Sequence, residues 1–191
     1  VVLMEKWEQI RDADGIATGA YREPDYQKYM TADFVKDCTR VYYDDDAYYS
    51  ENKNDRQTIT VMGIHTREFG SLTSLSDTLN EKSYHTYLNE LARSADGVLV
   101  SSNFRTKYGL EIGDTIYYRS SGGTQASGKI VDFVDYWPGF ATSRSSLKAD
   151  GTAYTEEGYL IVTHFELLRK AWQGLPYEVW MTTKDGYDSG D

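Results

Sequence analysis

Cysteine occurs once among the 191 residues, at Cys38. That excludes an internal disulfide framework and any Cys-x-x-Cys redox or zinc motif. No nearby feature supplies the base a reactive thiol needs, so Cys38 reads as a small, half-buried strand residue. Long apolar runs are also missing: nothing approaches the roughly 18 residues of a membrane span. No basic segment followed by an apolar one opens the chain, so no signal peptide is expected, and a start at Val1 instead of Met suggests an excised or processed piece. There is no Asn-x-Ser/Thr sequon. Basic residues are outnumbered, 20 against 30 acidic, for a formal net charge of −10. Phosphate backbones would be repelled, which argues against a nucleic-acid partner and against a broad basic face on anionic lipid.

What is present suits a folded chain. Hydrophobic residues make up 40% and charged residues 26%, a globular composition for one ordinary domain or two small lobes. Residues 1–10 are apolar at Val1, Leu3, Met4, Trp7 and Ile10, and fit a helix or a strand equally. Asp12 to Gly19 reads as a loop, and Pro24 as the first turn of a helix with Tyr26, Tyr29 and Met30 on its apolar face. Alternation over the first half of Phe34–Tyr49 and over Thr58–Ile64 predicts strands, with Asp44-Asp45-Asp46 at a solvated turn and Glu51–Arg56 as a hairpin loop. Glu68–Asn80 reads as loop with at most one helical turn. Tyr84, Leu88, Leu91 and Ala95 mark an amphipathic helix over Ser83–Ala95. Residues 141–158 read as a long mobile loop, and Tyr159–Val162 as a buried strand. A capping box from Thr163 to Glu166 should open a helix that runs to about Trp172, and Tyr177–Thr183 reads as a last strand. Strands and helices mix without regular alternation, which is α+β with a mixed sheet.

The most informative stretch runs from Gly97 to Gly139. Val98–Val100 predicts a short buried strand, and Ser101 or Ser102 a cap for the next helical turn. Phe104 and Tyr108 share a face of that turn, and Gly109 supplies its left-handed end. Ile112-Gly113-Asp114 is a turn, Thr115–Arg119 and Lys129–Asp135 are strands, and the polar Ser120–Gly128 connects them. Pro138-Gly139 closes the stretch.

This ordering resembles the extracytoplasmic domain of FtsX-like (MacB-type) ABC transporter permeases. There a strand ending in Val-Ser leads to a short helix ending in Tyr-Gly-Leu, followed by a Gly-Asp turn and a strand ending near Pro-Gly. The likeness is good over about 97–139 and looser over Val61–Ile64, Tyr159–Val162 and Pro176–Val179; many members carry Gly where Asp132 stands here. It implies a single extracytoplasmic domain over residues 1–191 in two lobes, one from about 1–96 plus 141–191 and a strand-rich one inserted over about 97–140. It also implies flanking membrane helices outside this sequence, a second permease subunit and a separate ATP-binding subunit or domain. The work would be mechanotransmission: ATP binding and hydrolysis in the cytoplasm coupled to movement on the outer side of the cell membrane, with peptide or lipid as cargo. No cofactor, metal or catalytic residue is implied.

The residues themselves offer little chemistry. Gly123-Thr124-Gln125-Ala126-Ser127-Gly128-Lys129 has P-loop spacing, but Ile130 replaces the magnesium-binding Ser or Thr and a strand follows where a helix should. His65, His85 and His164 fall in no metal pattern, Asp12, Asp14 and Asp44–Asp46 lack the later ligands of a calcium loop, and no Gly-x-Ser-x-Gly elbow occurs. Only composition supports Glu156, Glu157 and Glu178 as glycosidase carboxylates. Aromatics are abundant at 14%, with clusters at Tyr42, Tyr43, Tyr48 and Tyr49 and at Tyr136, Trp137 and Phe140. The second cluster is the candidate partner or ligand contact. The expectation is therefore a non-enzymatic permease domain. The alternatives are an extracellular module that captures or senses a peptide, lipid or glycan, and a hydrolase built from scattered residues.

Overall fold

The computed structural model describes residues 2–185. Three strands come first, β1 (Val2–Glu5), β2 (Glu8–Arg11) and β3 (Ala17–Arg22), then helix α1 (Tyr26–Thr31), β4 (Val35–Tyr49) and β5 (Gln57–Ile64). The middle holds α2 (Thr66–Leu72), α3 (Tyr84–Ala92), β6 (Gly97–Ser101), α4 (Asn103–Tyr108), β7 (Thr115–Arg119) and β8 (Gln125–Val134). The chain ends in β9 (Ser143–Leu147), β10 (Ala153–Glu157), β11 (Leu160–His164), α5 (Phe165–Ala171) and β12 (Glu178–Thr183).

Eight strands form one mixed sheet in the order β1-β12-β4-β5-β11-β6-β8-β7. The pairs β5–β11 and β6–β8 are parallel and the others antiparallel. This is the expected α+β class. Residues 97–140 contribute β6, β7 and β8 to the same sheet, through β6 beside β11. β4 also meets β7 through Tyr48 and Arg119, which turns six strands from β4 round to β7 back on themselves.

The central strands are buried on both faces, which explains their nearly unbroken apolar runs. One face packs Val61, Val98, Val100, Ile130 and Ile161 against Phe165 and Leu168 of α5, Trp172 at its end and Phe104 of α4. The other packs Met62, Ile64, Leu99 and Val162 against Phe69 and Leu72 of α2 and Tyr84, Leu88 and Leu91 of α3. Thus the parallel neighbours β5 and β11 send their following helices to opposite faces. Among the described residues no helix is long and apolar enough to cross a membrane.

Several local expectations change. Val2–Glu5 and Glu8–Arg11 are strands, Val1 lies outside the described residues, and Met30 on α1 is exposed where Tyr26 and Tyr29 pack inward. β4 continues through the acidic triple, which is a bulge: Asp44 faces Val61 and Ala47 faces Ile59. There Asp44 accepts the Asp46 and Ser121 N–H groups, and Arg144 reaches the Asp45 carbonyl and the Asp46 carboxylate, so the like charges are partnered without a turn. α2 begins at Thr66 and takes the first five residues of the expected loop, because Phe69 and Leu72 can be buried from it. α3 stops at Ala92, leaving Ala95 exposed.

The expected loop at 141–158 is the β9–β10 hairpin. Its turn is set by Gly151 at φ 84 and by Asp150, which accepts the Thr152 N–H; exposure of nearly every residue erased the apolar alternation. β8 starts four residues early, at Gln125, so the P-loop-like run is hairpin and strand. Neither predicted hydroxyl cap forms. Thr163 stays in β11 with its hydroxyl on the Gly97 carbonyl, and His164 takes the cap position of α5. Ser102 caps α4 without a side-chain bond, while Ser101 is buried and takes the Leu160 N–H. Gly109 does adopt the left-handed end, at φ 66.

Candidate functional site

The aromatic segment after β8 is a turn, and a turn points its side chains in different directions. Tyr136 is 44% exposed, Trp137 only 3%, and Phe140 is half-buried. Tyr136 and Phe140 line one small cleft of about 350 Å³ with Ser101, Asn103 and Glu157. Trp137 lies behind it, with its ring 6.2 Å from Phe69 in a near-parallel stack and 5.3 Å from Tyr84. The three aromatics therefore do not make one open surface. In the other cluster Tyr42 and Tyr49 are buried and Tyr43 and Tyr48 half-buried.

A strap over residues 73–83 holds this turn. The Asn80 carboxamide accepts the Asp135 and Tyr136 N–H groups and donates to the Tyr136 carbonyl, as a strand would. Lys82 donates to Glu90 on α3 and to Asp132 on β8, and its own N–H donates to the Tyr87 hydroxyl. Asp132 is 7% exposed and sits where β8 bulges against β6. Burial pushes both carboxyls up. For Glu90 that wins, reinforced by Asp132. For Asp132 the hydrogen bonds to Glu90, Lys82 and the Phe133 N–H outweigh it, and its value falls below the usual range. The paired carboxylates raise Lys82.

The other sequence candidates stay apart. Asp12 caps its own turn by accepting the Asp14 and Ile16 N–H groups. Glu157 and Glu178 line different clefts, and Glu178 accepts from the Trp180 indole. Among the described residues no three His, Cys, Asp or Glu side chains gather as a metal site requires.

Sequence reasoning missed a groove of about 1210 Å³ at the carboxyl ends of β5 and β11. His65 and His164 both line it, 99 residues apart in sequence. The available signal was that each follows an apolar strand and precedes a helix. His164 bonds through Nε2 to the Leu91 and Ser94 carbonyls, 2.8 and 2.7 Å away, and so ties β11 to the end of α3. His65 rests on Phe165, ring centres 4.6 Å apart, and its buried Nε2 has no partner. Burial, helped by Arg40, holds its pKa below the ordinary 6.5 against the pull of Glu68 and Glu166. The unfolded chain then binds the extra proton first, so stability is full above pH 6.5 and falls as pH drops below it. His65→Phe keeps the ring contact and should flatten that acid-side loss, on the order of 1 kcal/mol, in urea titrations at pH 7.5 and 5.

No protein-family model and no curated protein matches this chain in sequence. Several solved structures are similar, these two among them. The extracellular domain of the noncanonic ABC-type transporter YknZ from Gram-positive bacteria is 11% identical, covering 96% of this chain and 85% of that one, with a TM-score of 0.49. The periplasmic region of MacB from Actinobacillus actinomycetemcomitans is 9% identical, covering 97% of this chain and 76% of that one, with a TM-score of 0.47.

Proposed function

We propose that this chain is the non-enzymatic outer domain of an ABC transporter permease, passing ATP-driven movement of its membrane part to the outer side. The observation that carries the reading is the pairing of β1 with β12, which sets Val2 opposite Thr182. Any chain continuing from these two strands would leave the fold side by side, and the domain would stand on two adjacent supports. Displacement of the supports would enter β12 and pass by main-chain hydrogen bonds through β4 to the rest of the sheet. The motif-bearing residues 97–139 belong to that sheet, so the two lobes would move as one stiff body. In this reading a second permease subunit and a separate ATP-binding subunit complete the machine, and the exposed hairpins and the Tyr136–Phe140 cleft are the surfaces left for partners or cargo.

The test uses the complete gene expressed in its native membrane. Leu147 on the β9–β10 hairpin is 73% exposed, Cys38→Ser removes the one thiol of these 191 residues, and any cysteine elsewhere in the gene is replaced as well. In that background Leu147→Cys should react with a membrane-impermeant maleimide on intact cells. Labelling only after lysis would overturn the outer placement. Transport lost on deletion of the domain, with ATP hydrolysis retained, is the outcome expected for a coupling role; unchanged transport would refute it.

A further inference from the structure

We propose that the slot at the head of β6 receives an extended, neutral-to-basic peptide segment of another protein, added as a strand along Gln125–Ser127 of β8. This site does not depend on the transporter reading. β8 pairs with β7 from Gln125 onward, but with β6 only from Lys129 onward, where it faces Gly97. The Ile130 N–H donates to Asp114 on the β7 side and the Lys129 N–H to Asp96 on the β6 side. With the two-residue period of a strand, Gln125 and Ser127 aim their N–H and C=O groups, like Lys129, at the side that β6 leaves open.

β6 begins at Gly97, level with Lys129 of β8 and with the end of β11, where α5 starts. Before that point the open side of β8 borders a groove of about 1210 Å³, lined by Ala126 and Phe165 and by Ala95 and Ala171. The protein's own chain does not fill it, because it turns away with the Gly97 N–H on the Ser94 carbonyl.

The edge also lacks the usual guards. Gln125-Ala126-Ser127 carries no charge, proline or bulge, the devices by which strand edges are kept from pairing. Strand addition draws affinity from main-chain hydrogen bonds and specificity from alternate side chains. The small Ala95, Ala126 and Ala171 leave room for apolar side chains. Around the groove Glu68, Asp96 and Glu166 outnumber Arg67 and Lys170, which favours a basic segment over an acidic one.

The probe is the capped peptide Ac-Lys-Val-Thr-Val-Lys-Val-amide, with a glutamate-for-lysine counterpart and a version N-methylated at alternate amides. Nitrogen-15 NMR of the domain should show saturable shifts at the Gln125 and Ser127 amides with the basic peptide, and none with the methylated one. Bound peptide should slow exchange of those two amides by about tenfold, and Ser127→Pro, which deletes a groove-side N–H but no β7 bond, should weaken binding by about as much. Asp96→Lys should shift the preference toward the acidic peptide by about threefold or more. Shifts confined to other faces, or unchanged binding to a folded Ser127→Pro domain, would overturn the site. Gln125 and Ser127 amides already protected in the free protein would do the same, and an unaltered preference in Asp96→Lys would overturn the charge assignment.

Discussion

Gly139→Ala is expected to destabilise the domain by about 2–5 kcal/mol, from left-handed backbone strain and overpacking together. Gly139 sits at φ 82, where a Cβ is disfavoured, and a Cβ there would lie 2.6 Å from Cη2 of Trp180. That indole cannot yield easily. It is 2% exposed, packs on Phe69 and Tyr43, and donates to Glu178 at 2.9 Å. The Gly139 carbonyl meanwhile accepts the Tyr43 hydroxyl, so the turn is pinned to β4. Urea unfolding followed by tryptophan fluorescence should give a lower midpoint with an unchanged slope. Gly151→Ala is the control: its φ of 84 carries the same strain but nothing lies within 4 Å, and its loss should be about 1–2 kcal/mol. Equal losses in the two variants would show that the Trp180 contact adds nothing.

The same turn shows how far sequence carries the fold. Burial on both faces made β6 and β11 legible as apolar runs, alternation made β5 legible, and glycine geometry made the Gly109 and Gly113 turns legible. The β9–β10 hairpin was not legible, because strands exposed on both faces have no period to read. The acidic bulge in β4 misled for a related reason: three adjacent carboxylates look like a turn until Ser121 and Arg144, far along the chain, supply their partners. Both missed caps share one cause. Propensity nominates a hydroxyl beside a helix start, but Thr163 and Ser101 spend theirs on tertiary partners, Gly97 and Leu160.

The candidate surfaces were less legible than the fold. Tyr136, Trp137 and Phe140 are contiguous in sequence, yet the turn that carries them puts the indole inside and only Tyr136 plainly outside. The groove at the head of β6 came from no motif at all. It arises because β8 outruns β6 by four residues while β5 and β11 send their helices to opposite faces, and a crevice opens where neighbouring parallel strands diverge in this way. Register and handedness of that kind have no local signature.

Lys82→Met should cost about 2–4 kcal/mol at pH 7.5, less than the full loss for a buried ion pair because the Lys82 side chain is 40% exposed. The informative part is its sign with pH. In the native protein Glu90 is raised from 4.5, so its share of stability falls as pH climbs through its folded value. Asp132 is lowered from 3.8, so its share holds above that value and is lost only as pH falls through a still lower one. Lys82 keeps the two carboxyls from opposing each other. Without it they face one another in a half-dry site, one is driven to hold a proton, and the stability curve must slope upward toward acid. The deficit of Lys82→Met should therefore shrink between pH 7.5 and pH 5. Glu90→Gln, which fixes the neutral form, should lose less than about 1 kcal/mol at pH 7.5 and carry none of that slope. Exchange at the Asp135 and Tyr136 amides gives a local readout, since the Asn80 clasp and the Lys82 clasp belong to one strap. They should exchange faster in Lys82→Met at pH 7.5 and recover at pH 5. A deficit independent of pH would mean that Lys82 acts by packing alone. Asp132 would then have no electrostatic reason to be buried.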